Sequence, residues 1–245
     1  MKLNSSERTG LARALSKMGY CSRTVAHALI KDGRVRLKGR LSRDPETPVR
    51  LGRDEIEVDG DRVRTVQHVY LMMNKPRGVV TSARDEKGRQ TVYSLMPENG
   101  RWLAPVGRLD KASEGLLLFT NDPAWAARIT APESRVSKTY HVQVRAIANA
   151  DLLDRLMKGQ HESGDFLRAE RATLLRQGTR NCWIEIVLDE GRNRHIRRMF
   201  AALKIDVVRL VRVAIGGLEL GALPKGAVRE LTDSERQAII GGKSR

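Results

Sequence analysis

The alternation of apolar and polar residues predicts a small unit of helices and strands at the N-terminus. Apolar residues recur at helical spacing over residues 8–18, which predicts a first helix. Ser22 can cap a second helix that ends at Asp32-Gly33. Short strands are predicted over residues 35–39 and 55–58. The pattern therefore indicates a helix–turn–helix–strand unit within about the first quarter of the chain.

A polar connector over residues 61–67 precedes a second, longer run of elements that begins near His68. Apolar or alternating segments predict strands over 69–76, 78–82, 103–107, 115–120, 137–146, 182–188 and 206–220, the last broken at Gly216-Gly217. Helical spacing and end signals predict helices over 122–130, 148–159 and 193–204, and a last helix at the capping box of Thr232 and Glu235. Strands and helices are mixed without a strict βαβ repeat. The sequence therefore predicts an α+β fold, with a mainly antiparallel mixed sheet flanked by helices.

The distribution of charge along the chain indicates the kind of partner that the protein binds. The chain of 245 residues has 45 Lys and Arg against 29 Asp and Glu, a formal net charge of +16. Residues 1–43 hold 11 basic and 2 acidic residues, and residues 192–212 hold 7 basic and 1 acidic residue. Two segments therefore carry almost all of the excess, which favours a polyanionic partner such as nucleic acid over a merely soluble surface.

Several classes of protein are disfavoured by what the sequence lacks. Cys21 and Cys182 are far apart and show no metal-ligand spacing, so neither a metal site nor a disulfide framework is predicted. The N-terminus has no apolar signal-peptide core, and no apolar run approaches a membrane span. We expect a soluble, cytoplasmic protein that does not contact a membrane and is a monomer.

Residues 106–122, VGRLDKASEGLLLFTND, carry the candidate chemistry. Asp110 lies between Arg108 and Lys111, and a buried apolar run follows it. A carboxylate between two cations stays ionised at neutral pH and can act as a nucleophile. The same pattern also suits a turn residue in a surface ion pair, so spacing alone leaves both interpretations open.

The stretch GRLDKASEGLLLFTND resembles the signature of the pseudouridine synthases, in the branch that modifies ribosomal RNA and carries a small RNA-binding module in front. Segments that resemble further family motifs follow in the family's order: NKPRGVVTS (74–82), KTYHV (138–142), EGRNRHIRRM (190–199) and IGGLEL (215–220). The resemblance implies that Asp110 is the catalytic nucleophile, that Tyr140 stacks on the target base and that Arg197 is the charge partner of Asp110. The reaction involves no redox change or hydrolysis, so the resemblance implies no cofactor and no metal.

Residues 8–62 resemble the small "S-four" RNA-binding domain, through Leu11, Leu15, Gly19, Cys21-Ser22-Arg23, Gly33, Val35 and Gly39. Gly10 and Lys38 depart from the usual Arg and Asn of that domain, which puts RNA contacts at those two positions in doubt. We expect this domain over residues 8–62 and a catalytic domain over residues 68–240. The expected RNA contacts are basic side chains, namely Arg13, Lys17, Arg23, Arg34, Arg36, Lys75, Arg108, Arg194 and Arg198.

The sequence also suggests roles for Lys75, for the arginines of the helix over residues 193–204 and for His195. Lys75 either touches RNA or braces the active-site loop. On a helical wheel Arg197 lies at the edge of the apolar stripe, whereas Arg194 and Arg198 point away from it and suit RNA phosphates. His195 is expected as an RNA or structural contact rather than a general base.

The resulting hypothesis is an isomerase that converts a specific uridine of ribosomal RNA, within a ribosomal-subunit precursor, after flipping the base out of its stack. Residues that flank Asp110 resemble those of the large-subunit enzymes, which favours the large subunit, whereas the IGGL segment and MFAA fit the small-subunit enzymes equally well. A non-catalytic RNA-binding or ribosome-assembly factor and a transfer-RNA modifier with the same chemistry are the alternatives. The sequence identifies neither the uridine nor the atom that Asp110 attacks.

Overall fold

The fold is seen in a computed structural model that describes residues 8–82, 88–97 and 102–241. The chain divides into two compact units. The first comprises Met1–Tyr70, Glu98–Ala104 and Phe119–Ala126, and the second comprises Leu71–Pro97, Pro105–Leu118 and Ala127–Arg245. In the described part of the chain, no helix is both long and apolar enough to cross a membrane.

The N-terminal unit contains two helices packed on short strands. In chain order its elements are β1 (Arg8–Gly10), α1 (Leu11–Lys17), α2 (Arg23–Lys31), β2 (Val35–Leu37), β3 (Arg40–Ser42), β4 (Pro48–Arg50), β5 (Ile56–Val58) and β6 (Asp61–Arg62). Strands β3, β2, β5 and β6 form one antiparallel sheet in that order, and β1 pairs with β4. The Ser22 hydroxyl accepts a hydrogen bond from the Val25 amide at 3.1 Å, which confirms the predicted cap of α2. The first helix begins later than predicted, because Arg8–Gly10 is extended and pairs with β4.

The remaining elements follow Val69. They are β7 (Tyr70–Lys75), β8 (Ala104–Val106), β9 (Glu114–Thr120), α3 (Pro123–Thr130), β10 (Lys138–Val144), α4 (Ala150–Lys158), β11 (Gln160–Glu162), β12 (Asp165–Leu167), β13 (Arg171–Gln177), β14 (Cys182–Leu188), α5 (His195–Ala202), β15 (Val207–Ile215), β16 (Leu218–Glu219), β17 (Val228–Glu230) and α6 (Asp233–Gly241). Short 3₁₀ helices lie at Val92–Leu95 and Pro132–Ser134.

A nine-stranded mixed sheet dominates the second unit, apart from the ends of β7, β8 and β9. Its strand order is β13-β14-β10-β15-β9-β7-β17, with β8 beside β9 and β16 beside β15. Strand β15 runs parallel to β9 and antiparallel to β10 and β16. The α+β fold with a mainly antiparallel mixed sheet is therefore confirmed.

One face of this sheet carries the core of the second unit. Alternate residues of β10 and β14, such as Val142 and Ile184, pack with Leu156 of α4 and with Met199 and Phe200 of α5. All five side chains are buried. The two strand residues share this face because successive residues of a strand point to opposite faces. On the opposite face, His141, Gln143, Trp183 and Glu185 remain half-exposed.

The capping box of α6 is observed as predicted, whereas the strand predicted over residues 78–82 is not. The capping box of α6 is present, since the Thr232 amide donates to Glu235 at 2.9 Å and the Glu235 amide donates to the Thr232 hydroxyl at 3.2 Å. The predicted strand over residues 78–82 is wrong. Only Val80 forms an isolated bridge there, with Thr91, and the segment serves instead to hold the neighbouring loop.

Candidate active site

Asp110 lies in a tight turn that connects β8 to β9. The Ser113 amide donates to the Asp110 carbonyl at 2.9 Å and closes this turn. The Asp110 side chain is 36% exposed, so the carboxylate is accessible while its backbone is fixed. An acid held in this way is available for chemistry, as the sequence predicts.

Lys75, at the end of β7, holds the turn from below. Its side chain is fully buried, and its ammonium donates to the carbonyls of Asp110 at 3.1 Å, Ser113 at 2.8 Å and Pro76 at 3.2 Å. Burial lowers the pKa of Lys75 from 10.5 to about 8, against the opposing attraction of Asp110 and Glu114. The expected RNA contact of Lys75 is therefore wrong for this structure, and the alternative role as a brace is the one its contacts support.

The segment that follows β7 supplies two further restraints. The Gly78 amide donates to the Lys111 carbonyl at 2.8 Å. The Thr81 hydroxyl donates to the Leu109 carbonyl at 2.8 Å and accepts from the Leu109 amide at 3.3 Å. The residues on both sides of Asp110 are thus fixed by hydrogen bonds from one neighbouring segment.

The strand after the turn is fixed by a close parallel pairing with β15. Gly115 lies opposite Arg212 with φ of +101°, and a Cβ built on it would lie 2.2 Å from the Arg212 carbonyl. Only glycine allows so close an approach at that backbone angle. The buried carboxylate of Glu114 accepts hydrogen bonds from Arg209 at 2.7 Å and 3.0 Å and pairs with Lys225 at 2.9 Å. These bonds to the two cations lower the Glu114 pKa to about 2.

A cavity of about 650 Å³ opens beside Asp110, within the second unit. Its walls bring together side chains that are distant in sequence, among them Arg108, Asp110, Tyr140, Arg194 and Arg197. Tyr140 stands on β10 and is half-exposed. The structure therefore brings the three expected catalytic residues to one cavity of a size typical for ligand sites.

The charge around Asp110 differs from the expectation. Arg194 Nη1 lies 3.7 Å from Asp110 Oδ2. Among the described residues, Arg197 makes no ion pair with Asp110 within 4.0 Å and donates instead to the carbonyls of Ala112 at 3.1 Å and Val207 at 3.3 Å. Burial, and next the charge of Arg194, lower the Arg197 pKa, while Asp110 raises it. The direct ion-pair neighbour is thus Arg194, and Arg197 supports the backbone of the turn.

The position of Arg194 follows from the start of α5. Arg194 is the residue before the helix and has a left-handed backbone with φ of +49°, so a helical wheel does not describe its direction. The helical wheel, which placed Arg194 away from the apolar stripe, therefore did not reveal that it lies beside Asp110. His195, the first helical residue, is buried beside Glu190, and burial lowers its pKa. Of the RNA or structural contact expected for His195, a buried position fits the structural one.

Arg198 is held by the hairpin of β11 and β12 rather than left free for RNA. It pairs with Asp165 at 2.7 Å and donates to the Glu162 carbonyl. Arg192 pairs with the same carboxylate at 2.8 Å. These contacts disagree with a free, phosphate-binding Arg198 and anchor α5 to the hairpin.

The expected RNA contacts of the N-terminal unit lie at its surface. Arg13, Arg23, Arg34 and Arg36 are exposed, and Lys17 is half-exposed. Arg34 makes a bidentate pair with Asp59 at 2.8 Å and 2.5 Å, and Arg36 donates to the Gly39 carbonyl at 2.9 Å. Arg108, in the second unit, is also exposed. Their accessibility is compatible with RNA contacts, which stay a prediction.

Sequence reasoning did not single out three basic residues of the cavity wall, Lys138, Arg192 and Arg212. Lys138 and Arg212 both line it, and Arg212 is buried with Nε donating to the Leu116 carbonyl at 2.8 Å. A cation at an inward-facing position of an apolar strand is the signal that singles out Arg212. In the described residues, no group of three or more His, Cys, Asp and Glu side chains could hold a metal ion.

Comparison with known proteins connects this geometry to a chemistry. Residues 69–202 match the family model of the RNA pseudouridylate synthases, and residues 9–56 match that of the S4 domain. "Ribosomal large subunit pseudouridine synthase B" of Bacillus subtilis is 37% identical over 227 residues, which cover 92% of this chain and 93% of that protein. An "Uncharacterized RNA pseudouridine synthase" of Aquifex aeolicus is 35% identical over 222 residues, covering 90% and 89%.

Structural comparison agrees over nearly the whole length. The solved structure described as "Crystal structure of pseudouridylate synthase" superposes with a TM-score of 0.67 and 29% identity, covering 96% of this chain and 100% of that one. The family model alone spans more than half of the chain and includes Asp110, Tyr140 and Arg197. This protein therefore belongs to the RNA pseudouridylate synthase family, whose members are isomerases that act on RNA, and it carries an S4 domain at its N-terminus.

Proposed function

We propose that this pseudouridine synthase modifies a specific uridine of ribosomal RNA in the large subunit, with Asp110 as its nucleophile. The observation that carries the proposal is the accessible Asp110 carboxylate, on a turn held by buried Lys75, at the wall of a cavity that also contains Tyr140. The choice of RNA rests on the similarity to a protein named as a large-subunit enzyme. We extend the proposal to a ribosomal-subunit precursor in the cytoplasm.

The reaction requires a base that has left its stack. The bond between uracil N1 and the ribose breaks, the base turns, and a new bond forms between the same ribose carbon and uracil C5. The proton lost from C5 balances the proton gained at N1, so the product is an isomer of the substrate. Flipping costs roughly a few kcal/mol, which stacking and phosphate contacts must offset. We assign the stacking to Tyr140 and phosphate contacts to Arg108, which is exposed at the cavity.

The two arginines of the site have different tasks in this proposal. Arg194 lies 3.7 Å from the Asp110 carboxylate, so its charge helps to orient the nucleophile. Arg197 donates to the Ala112 carbonyl at 3.1 Å, so it acts on the position of the turn. Arg194→Gln should therefore lower the rate by releasing the carboxylate, whereas Arg197→Lys should lower it by loosening the turn at Ala112.

We also propose that residues 8–62 form an RNA-binding domain and residues 68–240 the catalytic domain. Both family matches fall inside these bounds. Exposed Arg13 and Arg23 on the N-terminal helices would then bind phosphates, and this affinity should weaken as salt is raised.

The choice of RNA is tested with purified large-subunit RNA, small-subunit RNA and transfer RNA, each incubated with the enzyme and mapped for pseudouridine. We expect one modified uridine in large-subunit RNA and none in the other two. Modification of transfer RNA or small-subunit RNA alone would contradict the assignment of the substrate. Loss of the same site from ribosomes of cells that lack the gene would establish it in the cell.

A further inference from the structure

A second pocket lies on the sheet face opposite the catalytic cavity. Tyr140 and Val142 of β10 face the cavity and the core. Gln143 and its cross-strand partner Trp183 project from the other face, since side chains alternate along a strand. Both are half-exposed, so this face is open to solvent.

Four side chains form a row across four neighbouring strands. Trp183 of β14 lies opposite Arg176 of β13 and Gln143 of β10, and Gln143 lies opposite Arg209 of β15. The guanidinium carbon of Arg176 is 5.0 Å from the centre of the Trp183 ring, and that of Arg209 is 5.8 Å away. Both distances are within the range of cation–π contact, so the indole orders two cations on an open surface.

Arg209 and Arg176 differ in whether a carboxylate balances their charge. Arg209 is neutralised by the buried Glu114 carboxylate, 2.7 Å away. Arg176 is exposed, as is Arg180 in the loop between β13 and β14. Within residues 8–82, 88–97 and 102–241, neither Arg176 nor Arg180 has a carboxylate within 4.0 Å. The face therefore offers two unpaired guanidiniums beside an aromatic ring.

These groups surround a pocket of about 330 Å³ between the row and the loop of residues 178–181. This volume is at the lower end of the range for small-molecule sites, which begins at about 300 Å³. The amides of Gln143 and Asn181 contribute to the lining and can donate and accept hydrogen bonds. An aromatic ring, free guanidiniums and amides together match the phosphate, the flat face and the polar edge of a nucleotide.

We propose that this pocket, the Trp183 pocket, binds one nucleotide of a single-stranded segment that flanks the modified uridine in the substrate RNA. Single-stranded RNA is bound by cationic grooves with aromatic or guanidinium stacking surfaces. Strand β13 is the last strand on this side of the sheet, so RNA can pass around the edge and reach the pocket. The proposal rests on the family's action on RNA and is independent of which RNA is modified.

The test compares two substrates of the full-length enzyme: a minimal stem-loop, and the same stem-loop extended by about 16 nucleotides on each side, the upper end of known single-strand site sizes. The Arg176→Gln/Arg180→Gln variant should bind the extended RNA more weakly and reduce the slope of log Kd against log salt by about 1.4, at about 0.7 for each lost phosphate contact. Its affinity for the stem-loop and its single-turnover rate on it should equal those of the wild type. The matched control is Arg155→Gln/Lys158→Gln, which removes the same charge from exposed positions of α4.

The ring is tested by Trp183→Leu, checked for an unchanged melting temperature, and by Trp183→Phe. Leucine should weaken binding of the extended RNA by about 5- to 150-fold, the value of one base–aromatic stack, and phenylalanine should restore most of it. Equal losses for both RNAs, or no greater loss than in the control, would overturn the proposal and leave the Trp183 row as a structural contact. Competition by an acidic peptide without any effect of RNA length would assign the pocket to a protein partner instead.

Discussion

Replacing Lys75 with methionine separates the position of the nucleophile from the stability of the fold. The change removes hydrogen bonds to the carbonyls of Pro76, Asp110 and Ser113, which are worth about 1.5–3 kcal/mol each for a charged donor. It also removes a buried ammonium, whose pKa is lowered from 10.5 to about 8. At about 1.4 kcal/mol per pKa unit, this relieves about 3 kcal/mol. The two effects partly cancel, so the free energy of unfolding should fall by about 1–6 kcal/mol.

The rate should respond far more strongly, since a displacement of about 1 Å at a reacting group costs about 100-fold. Single-turnover formation of pseudouridine, with unfolding in urea measured in parallel, checks both parts. Lys111→Met is the matched control, because Lys111 is exposed next to Asp110 and contributes only its backbone carbonyl to the turn. A Lys75→Met enzyme within a few-fold of the wild-type rate would refute the role of Lys75 as the brace of the turn.

Three further outcomes follow from the same contacts. As pH rises through about 8, Lys75 loses its proton and the rate should fall, so a rate that is flat from pH 7 to 9 would contradict this. Between pH 8 and the unfolded pKa of 10.5, the stability of the wild type should rise relative to that of Lys75→Met, because the unfolded wild type then binds more protons than the folded state. Glu114→Gln should cost about 1.5–3 kcal/mol in urea unfolding, since it removes the charged acceptor of the bonds from Arg209 and Lys225, which are themselves partly exposed. The contribution of Glu114 to stability should be present above its unfolded pKa of 4.5 and lost as the pH falls towards 2. If Glu114→Gln leaves the free energy of unfolding unchanged, these ion pairs do not stabilise the fold. Gly115→Ala should yield little folded protein, because the added Cβ would lie 2.2 Å from the Arg212 carbonyl oxygen. A variant with the melting temperature of the wild type would contradict this and show that β9 can shift.

The sequence predicts those elements whose pattern is local. The helix over residues 193–204 is found at His195–Ala202, and the strand predicted over residues 182–188 has the observed bounds. Side-chain caps at Ser22 and Thr232 are also local signals and are observed. Strand β13, RATLLRQ, was not predicted because it is an edge strand with six exposed residues out of seven and a bulge near Leu174. Its pairing with β14 decides its conformation, and no local pattern reports that pairing.

In the site, too, local motifs were predicted from the sequence and long-range contacts were not. Asp110, Tyr140 and Arg197 are found from the resemblance of short motifs, and they meet in one cavity. The burial of Lys75 depends on carbonyls of residues 110 and 113, more than thirty positions away. The pairing of Arg194 with Asp110 depends on a left-handed backbone that no helical wheel contains. What the sequence could not give is therefore the set of contacts that orient the acid, as distinct from the acid itself.

The most direct test of the central claim compares Asp110→Asn with the wild type in two assays on one substrate RNA. Pseudouridine formation should disappear in the variant, because an amide at the same position cannot act as the nucleophile. The Kd for the RNA should change by only a few-fold, since Asp110 is one acid beside many cations of the cavity. Product formation at the wild-type rate would contradict the assignment of Asp110.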